Sequence, residues 1–350
     1  MKKRVQYSVA VVATMSAGKS SLLNAMIGER LLPAKNVACT SNVFVIDDQD
    51  GAKTFYARAV DLGKEGPWEV ATTERLAELN AGKHDRIEVY GDIRRIRNIG
   101  SDCSVRFFDT PGPNNSLDAS HAEVTTKLMT DSDYCSLICV LNATALSTND
   151  EFELLKYVKS QIASQRNKKV SLVFAINKID TFDLDDDNGE SIVRTLSNCR
   201  AYLEEQVGIK DPVLLPVSAS LSLGIRDAFV TSRELTPEER GACSRLKHSR
   251  DLIAVSMQSD IAQAKLARLI EYYQRHEKEY LAGLKFSREV ADVYRFCRMR
   301  KRGQLIIGGR QFSINDLIKV DLLSGIPVLE TLIERRMKKF YKESKKWRNK

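Results

Sequence analysis

Short apolar runs alternate along the chain with longer segments in which apolar residues recur every three or four positions. The short runs are rich in β-branched and aromatic residues and predict buried strands. They are YSVAVVA, NVFVI, SVRFF, YCSLICVLN, VSLVFAIN and PVLLPVS. The periodic segments predict helices, and they are SSLLNAMIGE, EVTTKLMTDS, NDEFELLKYVKSQIASQ and ESIVRTLSNCRAYLEEQ. This alternation predicts an α/β fold in which a mostly parallel sheet carries helices on both faces.

Two intervals depart from the alternation and divide the chain into three predicted parts. Residues 1–225 form the core, with an insertion at about 48–104 that holds the strand candidates TFYARAV and RIEVYGDI and a short helix near Thr73 to Ala81. Residues 226–318 form a mainly helical insertion that ends in a hairpin, GQLIIGGRQFS, with a Gly-Gly turn. Residues 319–350 form a closing helix, from about Ile326 to Trp347, and a basic tail.

Composition restricts the class of protein. The chain is 43% hydrophobic and 29% charged, and it has no apolar run long enough to span a bilayer. The apolar run after the basic start MKKR continues into a glycine-lysine turn and predicts a first strand rather than a signal peptide. Seven scattered cysteines without a C-x-x-C pair argue against a disulfide framework and a zinc site. They predict free thiols and a cytoplasmic location.

The net charge of +8 lies in the tail. Between residues 335 and 350 there are nine Lys and Arg residues against one Glu, so the rest of the chain is formally neutral as a set. A basic segment with interleaved aromatic residues suits an anionic membrane surface, which would make the protein peripheral at a membrane. The same segment could bind nucleic acid phosphates. The simplest interpretation is a solvated helix end, where cations interact favourably with the helix dipole.

The glycine-lysine loop (residues 13–20) follows the first predicted strand and fits the pattern G-x-x-x-x-G-K-[ST], except that Ala13 replaces the first glycine. Backbone N–H groups in such a loop surround phosphate oxygens, and the following helix adds its dipole. Lys19 would reach the β- and γ-phosphates, and the Ser20 hydroxyl would bind Mg²⁺. The residues predicted to bind phosphate are Ser16, Ala17, Gly18, Lys19, Ser20 and Ser21.

A second motif, FFDTPGP, follows a later strand. Asp109 in this motif would hold Mg²⁺ through water, and Gly112 would offer its amide to a γ-phosphate.

Two further motifs end strands and would bind a base. VFAINKIDT supplies Asn177, Lys178 and Asp180. A carboxylate accepts two N–H bonds from guanine, whereas adenine would leave the buried acid unpaired, at a cost of about 1–3 kcal/mol. LLPVSAS supplies Ser218 and Ala219, whose backbones would brace the base. All four motifs end predicted strands, which is the side where such a sheet binds ligands.

The order of these motifs resembles that of translation-factor-class GTPases, and within them the bacterial dynamin-like GTPases. Three segments are similar to that family: SAGKSSLLNAMIG, LLPAKNVACTS with Thr40 seven residues after Pro33, and the late segment LLSGIPVLETLIE. The resemblance implies a P-loop GTPase fold over most of the chain, with family-typical insertions.

The resemblance also implies that the chain binds GTP and hydrolyses it to GDP and phosphate. Catalysis would then involve Ser16, Lys19 and Thr40. Ser16 occupies the loop position that in this family helps to stabilise the transition state, with or through K⁺ or Na⁺. Thr40 would present its backbone to the attacking water and complete the Mg²⁺ site of Ser20 and Asp109.

Two positions depart from the family and concern the attacking water. Met15 stands where eukaryotic dynamins carry a water-orienting glutamine, and Pro113 stands where Ras-type GTPases carry theirs. We therefore expect slow hydrolysis by a single copy and faster hydrolysis when two copies pair across the nucleotide face.

Two other functions stay open at this stage: a ribosome- or RNA-associated GTPase, and a GTP-gated scaffold with negligible turnover. The family's long helical stalk has no counterpart in the sequence. The expectation is either a GTPase module cut from a longer protein or a minimal relative that uses the stalk of a partner protein.

Overall fold

The structure is a computed structural model that describes residues 4–33, 42–61, 63–82, 84–93, 96–100, 102–109, 135–164, 170–181, 190–230, 304–307, 310–313, 321–322 and 324–348. The predicted helices at EVTTKLMTDS and at about 237–302 lie outside these residues, as do Thr40, Gly112 and the two glycines of the predicted hairpin turn.

One large sheet forms the centre of the molecule. Its strands are β1 (Val5–Ala13), β2 (Val43–Asp48), β3 (Tyr56–Asp61), β4 (Lys64–Glu65), β5 (Glu69–Val70), β6 (Arg86–Gly91), β7 (Cys103–Asp109), β8 (Ser136–Asn142), β9 (Ser171–Asn177) and β10 (Leu214–Pro216). The order across the sheet is β10-β9-β8-β1-β7-β2-β6-β3-β4, and β5 pairs with β3.

The sheet has a parallel half and a mixed half. Strands β10, β9, β8, β1 and β7 are all parallel. Strand β2 runs antiparallel to β7, β6 runs parallel to β2, and β3 runs antiparallel to β6. The predicted α/β fold with a mostly parallel sheet is confirmed for the first half. The insertion predicted at 48–104 extends the same sheet in mixed orientation.

Six helices accompany the sheet among the described residues. They are α1 (Lys19–Ile27), α2 (Thr73–Ala81), α3 (Asn149–Ser164), α4 (Glu190–Ala201), α5 (Ala219–Val230) and α6 (Ile326–Arg348). A 3-10 turn covers Ile179–Thr181, and a π-helical segment covers Tyr202–Val207. Strand β1 has seven consecutive buried residues, as expected for a strand covered on both faces. No helix among the described residues is both long enough and apolar enough to cross a membrane.

A separate two-stranded hairpin follows late in the chain. Strands β11 (Gln304–Ile307) and β12 (Arg310–Ser313) pair antiparallel, with Ile307 opposite Arg310. The predicted strand pairing is therefore present.

A buried arginine, Arg226, joins helices α1, α5 and α6. The Arg226 guanidinium on α5 donates to Asp321 at 3.1 Å, to Glu330 on α6 at 2.5 Å, and to the backbone oxygen of Ala25 in the last turn of α1 at 2.7 Å. Burial alone would lower the pKa of Arg226, but the two carboxylates outweigh it and raise that pKa. The cation therefore stays charged at the negative end of the α1 dipole.

Candidate nucleotide site

The carboxyl ends of the parallel strands place four sequence motifs along one edge of the sheet. Ala13 pairs with Val140 and Asn142 with Asn177, which aligns the ends of β1, β8 and β9. Asp109, the last residue of β7, lies opposite Val11 of β1. The structure thus brings the glycine-lysine loop, Asp109, Asn177 and the segment after β10 to the edge expected from the sequence.

The glycine-lysine loop curls back before α1. Ser16 and Gly18 have φ angles of +61° and +93°, so the backbone turns through the left-handed region twice. Helix α1 then begins at Lys19, and no side chain among the described residues caps its first turn. Backbone N–H groups at such a helix start are suited to bind an anion.

Asn177 joins the loop to the segment after β10. Its Nδ2 donates to the Ala17 carbonyl at 2.9 Å, and its Oδ1 accepts from the Ala219 N–H at 3.1 Å. A Cβ at Gly18 would lie 2.3 Å from this Nδ2, so only glycine fits beside the asparagine. In this structure Asn177 therefore positions two predicted binding segments relative to each other.

Asp180 is buried in the 3-10 turn after β9, with 8% of its surface exposed. Its Oδ2 accepts from the Ser220 hydroxyl at 2.8 Å. Its Oδ1 is also buried, and among the described residues it has no hydrogen-bond partner. A fixed carboxylate with one unused oxygen can accept the N–H groups of a guanine edge. Ser220 was not among the predicted residues, although its place in the SAS motif is visible in the sequence.

Lys19 and Asp109 form a direct ion pair at the start of α1. Asp109 is almost fully buried, and Lys19 is only partly exposed. Ser20 and Ser21 follow in the first helical turn and are half-buried. A carboxylate and a hydroxyl are oxygen donors of the kind that Mg²⁺ takes beside substrate phosphates, so Asp109 and Ser20 fit this ion by type.

Ser218 and Ala219 lie at the start of α5. The Ser218 N–H donates to the Ser324 carbonyl at 2.8 Å, and the Ala219 N–H donates to Asn177. Both amides are thus bonded within the protein, and contact of these residues with a base stays a prediction.

The late segment LLSGIPVLETLIE packs directly against this site. Gly325 has a φ of +76°, and a Cβ there would lie 2.2 Å from the Pro216 carbonyl oxygen at the end of β10. Helix α6 begins at the next residue. This close approach requires glycine. It fixes the start of α6 beside the end of β10, next to the SAS segment that contacts Asp180.

Asn24 is a positioning residue that sequence reasoning did not single out. From inside α1 it donates to the Leu32 carbonyl at 2.8 Å and accepts from the Leu32 N–H at 2.7 Å. The side chain is buried and fixes the chain just before residues 34–41, the segment that contains Thr40. In the sequence, Asn24 is the asparagine of the Asn-Ala pair in SSLLNAMIG, and this pair could have pointed to it.

Comparison with known proteins agrees with the motif order. Residues 9–178 match the model of the Dynamin family. Dynamin-like protein A of Bacillus subtilis (strain 168) is 25% identical over 188 residues, which is 52% of this chain but only 14% of that protein.

Two solved structures are also similar to this chain. Both are of an oligomerised bacterial dynamin pair that is described as providing a mechanism for the long-range sensing and tethering of membranes. They have TM-scores of 0.47 and 0.44, identities of 16% and 15%, and cover 83% and 98% of this chain. This chain covers 47% and 69% of theirs. The family resemblance predicted from the motifs is confirmed for residues 9–178, and the matches support a dynamin-like GTPase domain in this part of the chain.

Proposed function

We propose that the chain binds guanine nucleotides at the carboxyl edge of β1, β7 and β9 and hydrolyses GTP to GDP and phosphate. The observation that carries the proposal is the buried Asp180 carboxylate, with one oxygen bonded to Ser220 and the other unused. Asn177 ties this part of the edge to the glycine-lysine loop. One element of the site would select the base while the other binds phosphate.

In this proposal Lys19 changes partner when nucleotide binds. Its ammonium leaves Asp109 for the phosphate oxygens, which carry more negative charge than one carboxylate. Asp109, Ser20 and Thr40 would hold Mg²⁺, which supplies charge neutralisation on the phosphates when it is bound. Gly112 would contact the γ-phosphate, and Lys178 would pack beside the base.

Hydrolysis needs a positioned water, and the loop offers Met15 where a polar side chain would serve. Met15 is 68% exposed, and a thioether is only a weak acceptor. We infer that a second copy, paired across the nucleotide face, orders the loops around Ser16 and Thr40, with K⁺ or Na⁺ as a further positive charge. Pairing would also cover the exposed Met15.

Base selection is tested with Asp180→Asn. The change replaces one acceptor oxygen by a donor NH₂, which conflicts with the guanine amine but matches the 2-carbonyl of xanthine. GTP affinity should fall by about 10- to 100-fold while xanthosine triphosphate affinity rises. The matched control is Asp211→Asn, at an exposed aspartate, which should change neither affinity. Unchanged GTP binding by Asp180→Asn in calorimetry would contradict the proposal.

Turnover is tested by phosphate release over a hundredfold range of protein concentration, with Lys19→Ala as the inactive control. Specific activity should rise with concentration if pairing stimulates hydrolysis. A flat profile would reject the pairing. Tight GTP binding with no multiple turnover at any concentration would instead support a GTP-gated scaffold, which the exposed Met15 favours as the second candidate.

We further propose that the protein is cytoplasmic and touches anionic membrane through α6, or reaches the membrane through a partner protein that bears a stalk. The exposed lysines of α6 support a charge contact: Lys338, Lys339, Lys342 and Lys345. Two of its aromatic residues contact the rest of the protein: the Phe340 ring packs 5.5 Å from Tyr7, and the Tyr341 hydroxyl donates to Asp102 at 2.5 Å. The contact would therefore be electrostatic.

A further inference from the structure

A second group of carboxylates lies outside the nucleotide site. Asp48 ends β2, Asp50 lies two residues later in the turn, and Asp92 directly follows β6. One carboxylate oxygen from each lies within 4.8 Å of those of the other two. The parallel pairing of β2 with β6, in which Asp48 lies opposite Gly91, brings the three together.

This group lies at the opposite edge of the sheet from the glycine-lysine loop. Strand β2 runs antiparallel to β7, with Phe44 opposite Asp109 and Asp47 opposite Arg106. Asp48 is therefore displaced from Asp109 by about four residues along the strand direction, or about 13 Å. The group is thus separate from the proposed Mg²⁺ site.

The Asp48 side chain is buried but incompletely bonded. It is 2% exposed, and its Oδ1 accepts from the Ile93 N–H at 2.8 Å. Its Oδ2 is buried and, within the described part of the chain, has no hydrogen-bond partner. Asp92 is similar: its Oδ2 accepts from the Gly51 N–H at 2.9 Å, while its buried Oδ1 has no described partner. Two unused carboxylate oxygens in one cluster are costly without a cation.

The three carboxylates lie close together with little water between them. Their oxygens lie within 4.8 Å of one another, and water is excluded from one oxygen of Asp48 and one of Asp92. Ionised carboxylates in such a site repel one another, and a bound cation would relieve that repulsion.

We propose that Asp48, Asp50 and Asp92 form a structural site for a hard divalent cation, with Ca²⁺ the best match. All donors are oxygens, which Ca²⁺ and Mg²⁺ prefer. Mg²⁺ usually keeps several waters and is held by one or two carboxylates, whereas Ca²⁺ takes more protein oxygens in flexible geometry. Three carboxylates on one site therefore favour Ca²⁺.

The cation would join the ends of the neighbouring strands β2 and β6 and the turn that follows β2. The Gln49 N–H already donates to the Gly91 carbonyl at 2.8 Å, and the Asn98 side chain donates to the Asp48 carbonyl at 3.3 Å. The backbone around the carboxylates is thus held in place before an ion arrives. Binding should stabilise the fold by mass action, and it does not depend on the proposed GTP hydrolysis.

The test uses the full chain, without nucleotide, in calorimetry and thermal unfolding with Ca²⁺ or Mg²⁺ alone. Ca²⁺ should bind with a Kd below about 1 mM and more tightly than Mg²⁺. At about one hundred times the Kd it should raise the Tm by about 3–6 °C. Asp92→Asn and Asp48→Asn should each weaken Ca²⁺ binding at least tenfold, whereas Asp211→Asn should bind like wild type.

The metal-free Tm distinguishes loss of the site from misfolding. Removing one of three repelling carboxylates should leave the metal-free Tm of Asp92→Asn equal to wild type or higher, while the Ca²⁺-induced rise disappears. Absence of binding of either ion by wild type up to about 10 mM would overturn the proposal. Wild-type Ca²⁺ affinity in Asp92→Asn, or tighter binding of Mg²⁺ than of Ca²⁺, would overturn it as well.

Discussion

At the scale of single residues, space around Gly18 decides how the glycine-lysine loop meets Asn177. The Gly18 φ of +93° disfavours any side chain, and the Asn177 Nδ2 occupies the position that a Cβ would take. Gly28, at the end of α1, has nearly the same φ of +95°, yet no described atom lies within 4 Å of its Cβ position. Substitutions at the two glycines therefore distinguish the cost of backbone strain from the cost of steric crowding.

Gly18→Ala should destabilise the chain by about 2–4 kcal/mol, because it adds left-handed strain and displaces a buried, doubly bonded asparagine. Gly28→Ala, the matched control, should cost about 1–2 kcal/mol from strain alone. Denaturant unfolding of both variants measures the difference. Equal losses would show that Asn177 does not press against Gly18.

Glu151 is a second residue whose surroundings set a measurable property. It lies at the start of α3, is 1% exposed, and accepts from the Ser147 N–H at 3.2 Å. Burial, partly opposed by that N–H, raises the pKa of Glu151 from 4.5 to about 7. Between these values the folded protein holds a proton that the unfolded chain has lost, so this residue makes stability fall as pH rises.

Glu151→Gln keeps the acceptor oxygen and removes the titration. Relative to wild type, the variant should gain about 1–3 kcal/mol of stability between pH 5 and pH 8. Chemical unfolding at both pH values measures the gain. Glu153→Gln, at a position whose side chain is 61% exposed, is the control and should show no such change with pH. A pH-independent difference for Glu151→Gln would mean that Glu151 titrates normally.

At the scale of elements, Arg226 unites α1, α5 and α6 through charges that water hardly reaches. The guanidinium is 6% exposed, and the Asp321 and Glu330 side chains are 4% and 3% exposed. Arg75 offers a surface counterpart: it also pairs with two acids, Glu69 and Glu78, but all three side chains are more than one-third exposed. Comparing substitutions of the two arginines therefore measures how burial changes the contribution of such a charge cluster to the free energy of unfolding.

Arg226→Met should destabilise the chain by about 3–5 kcal/mol, because two carboxylates would stay buried without a cation. Arg75→Met should cost much less, because water screens both of its ion pairs. Urea unfolding of the two variants at one pH is the measurement. A loss at Arg226 no larger than at Arg75 would mean that water or another cation compensates.

The elements also show how far the sequence could predict the structure. Strand and helix positions followed from local periodicity, and parallel pairing then brought Asp109, Asn177 and Asp180 to one edge. The antiparallel pairing of β2 with β7 could not be predicted, because the residue pattern within a strand does not indicate the direction in which its neighbour runs. The acidic partners of Arg226 lie about 100 residues away in sequence, and the β2–β6 register brings Asp92 to Asp48. Such contacts depend on tertiary packing, which spacing does not encode.

At the scale of the whole molecule, charge is concentrated on α6. Three of its exposed lysines, Lys338, Lys342 and Lys345, recur at helical spacing and share one face. The sequence predicted the excess of positive charge but not that Phe340 and Tyr341 would be used in packing. An anionic surface would therefore meet these lysines, while Phe340 and Tyr341 stay packed within the protein.

Changing these three lysines to glutamine should reduce flotation with anionic vesicles by about 100-fold, at about 1 kcal/mol per lysine. The same change at exposed Lys53, Lys64 and Lys156 is the control and should have little effect. Binding of the wild type should weaken steeply with salt. Tighter binding to RNA than to vesicles at equal salt would favour the RNA-associated alternative instead.

The contact between Gly325 and Pro216 has a mechanical consequence. Helix α6 has 23 residues and is thus about 34 Å long, and its first residue directly follows Gly325, which lies against the Pro216 carbonyl at the end of β10. A rotation of about 10° at that point would sweep the far end through about 6 Å. Such a rotation would have to separate Phe340 from Tyr7 and Tyr341 from Asp102, and distances between two spectroscopic labels would measure it.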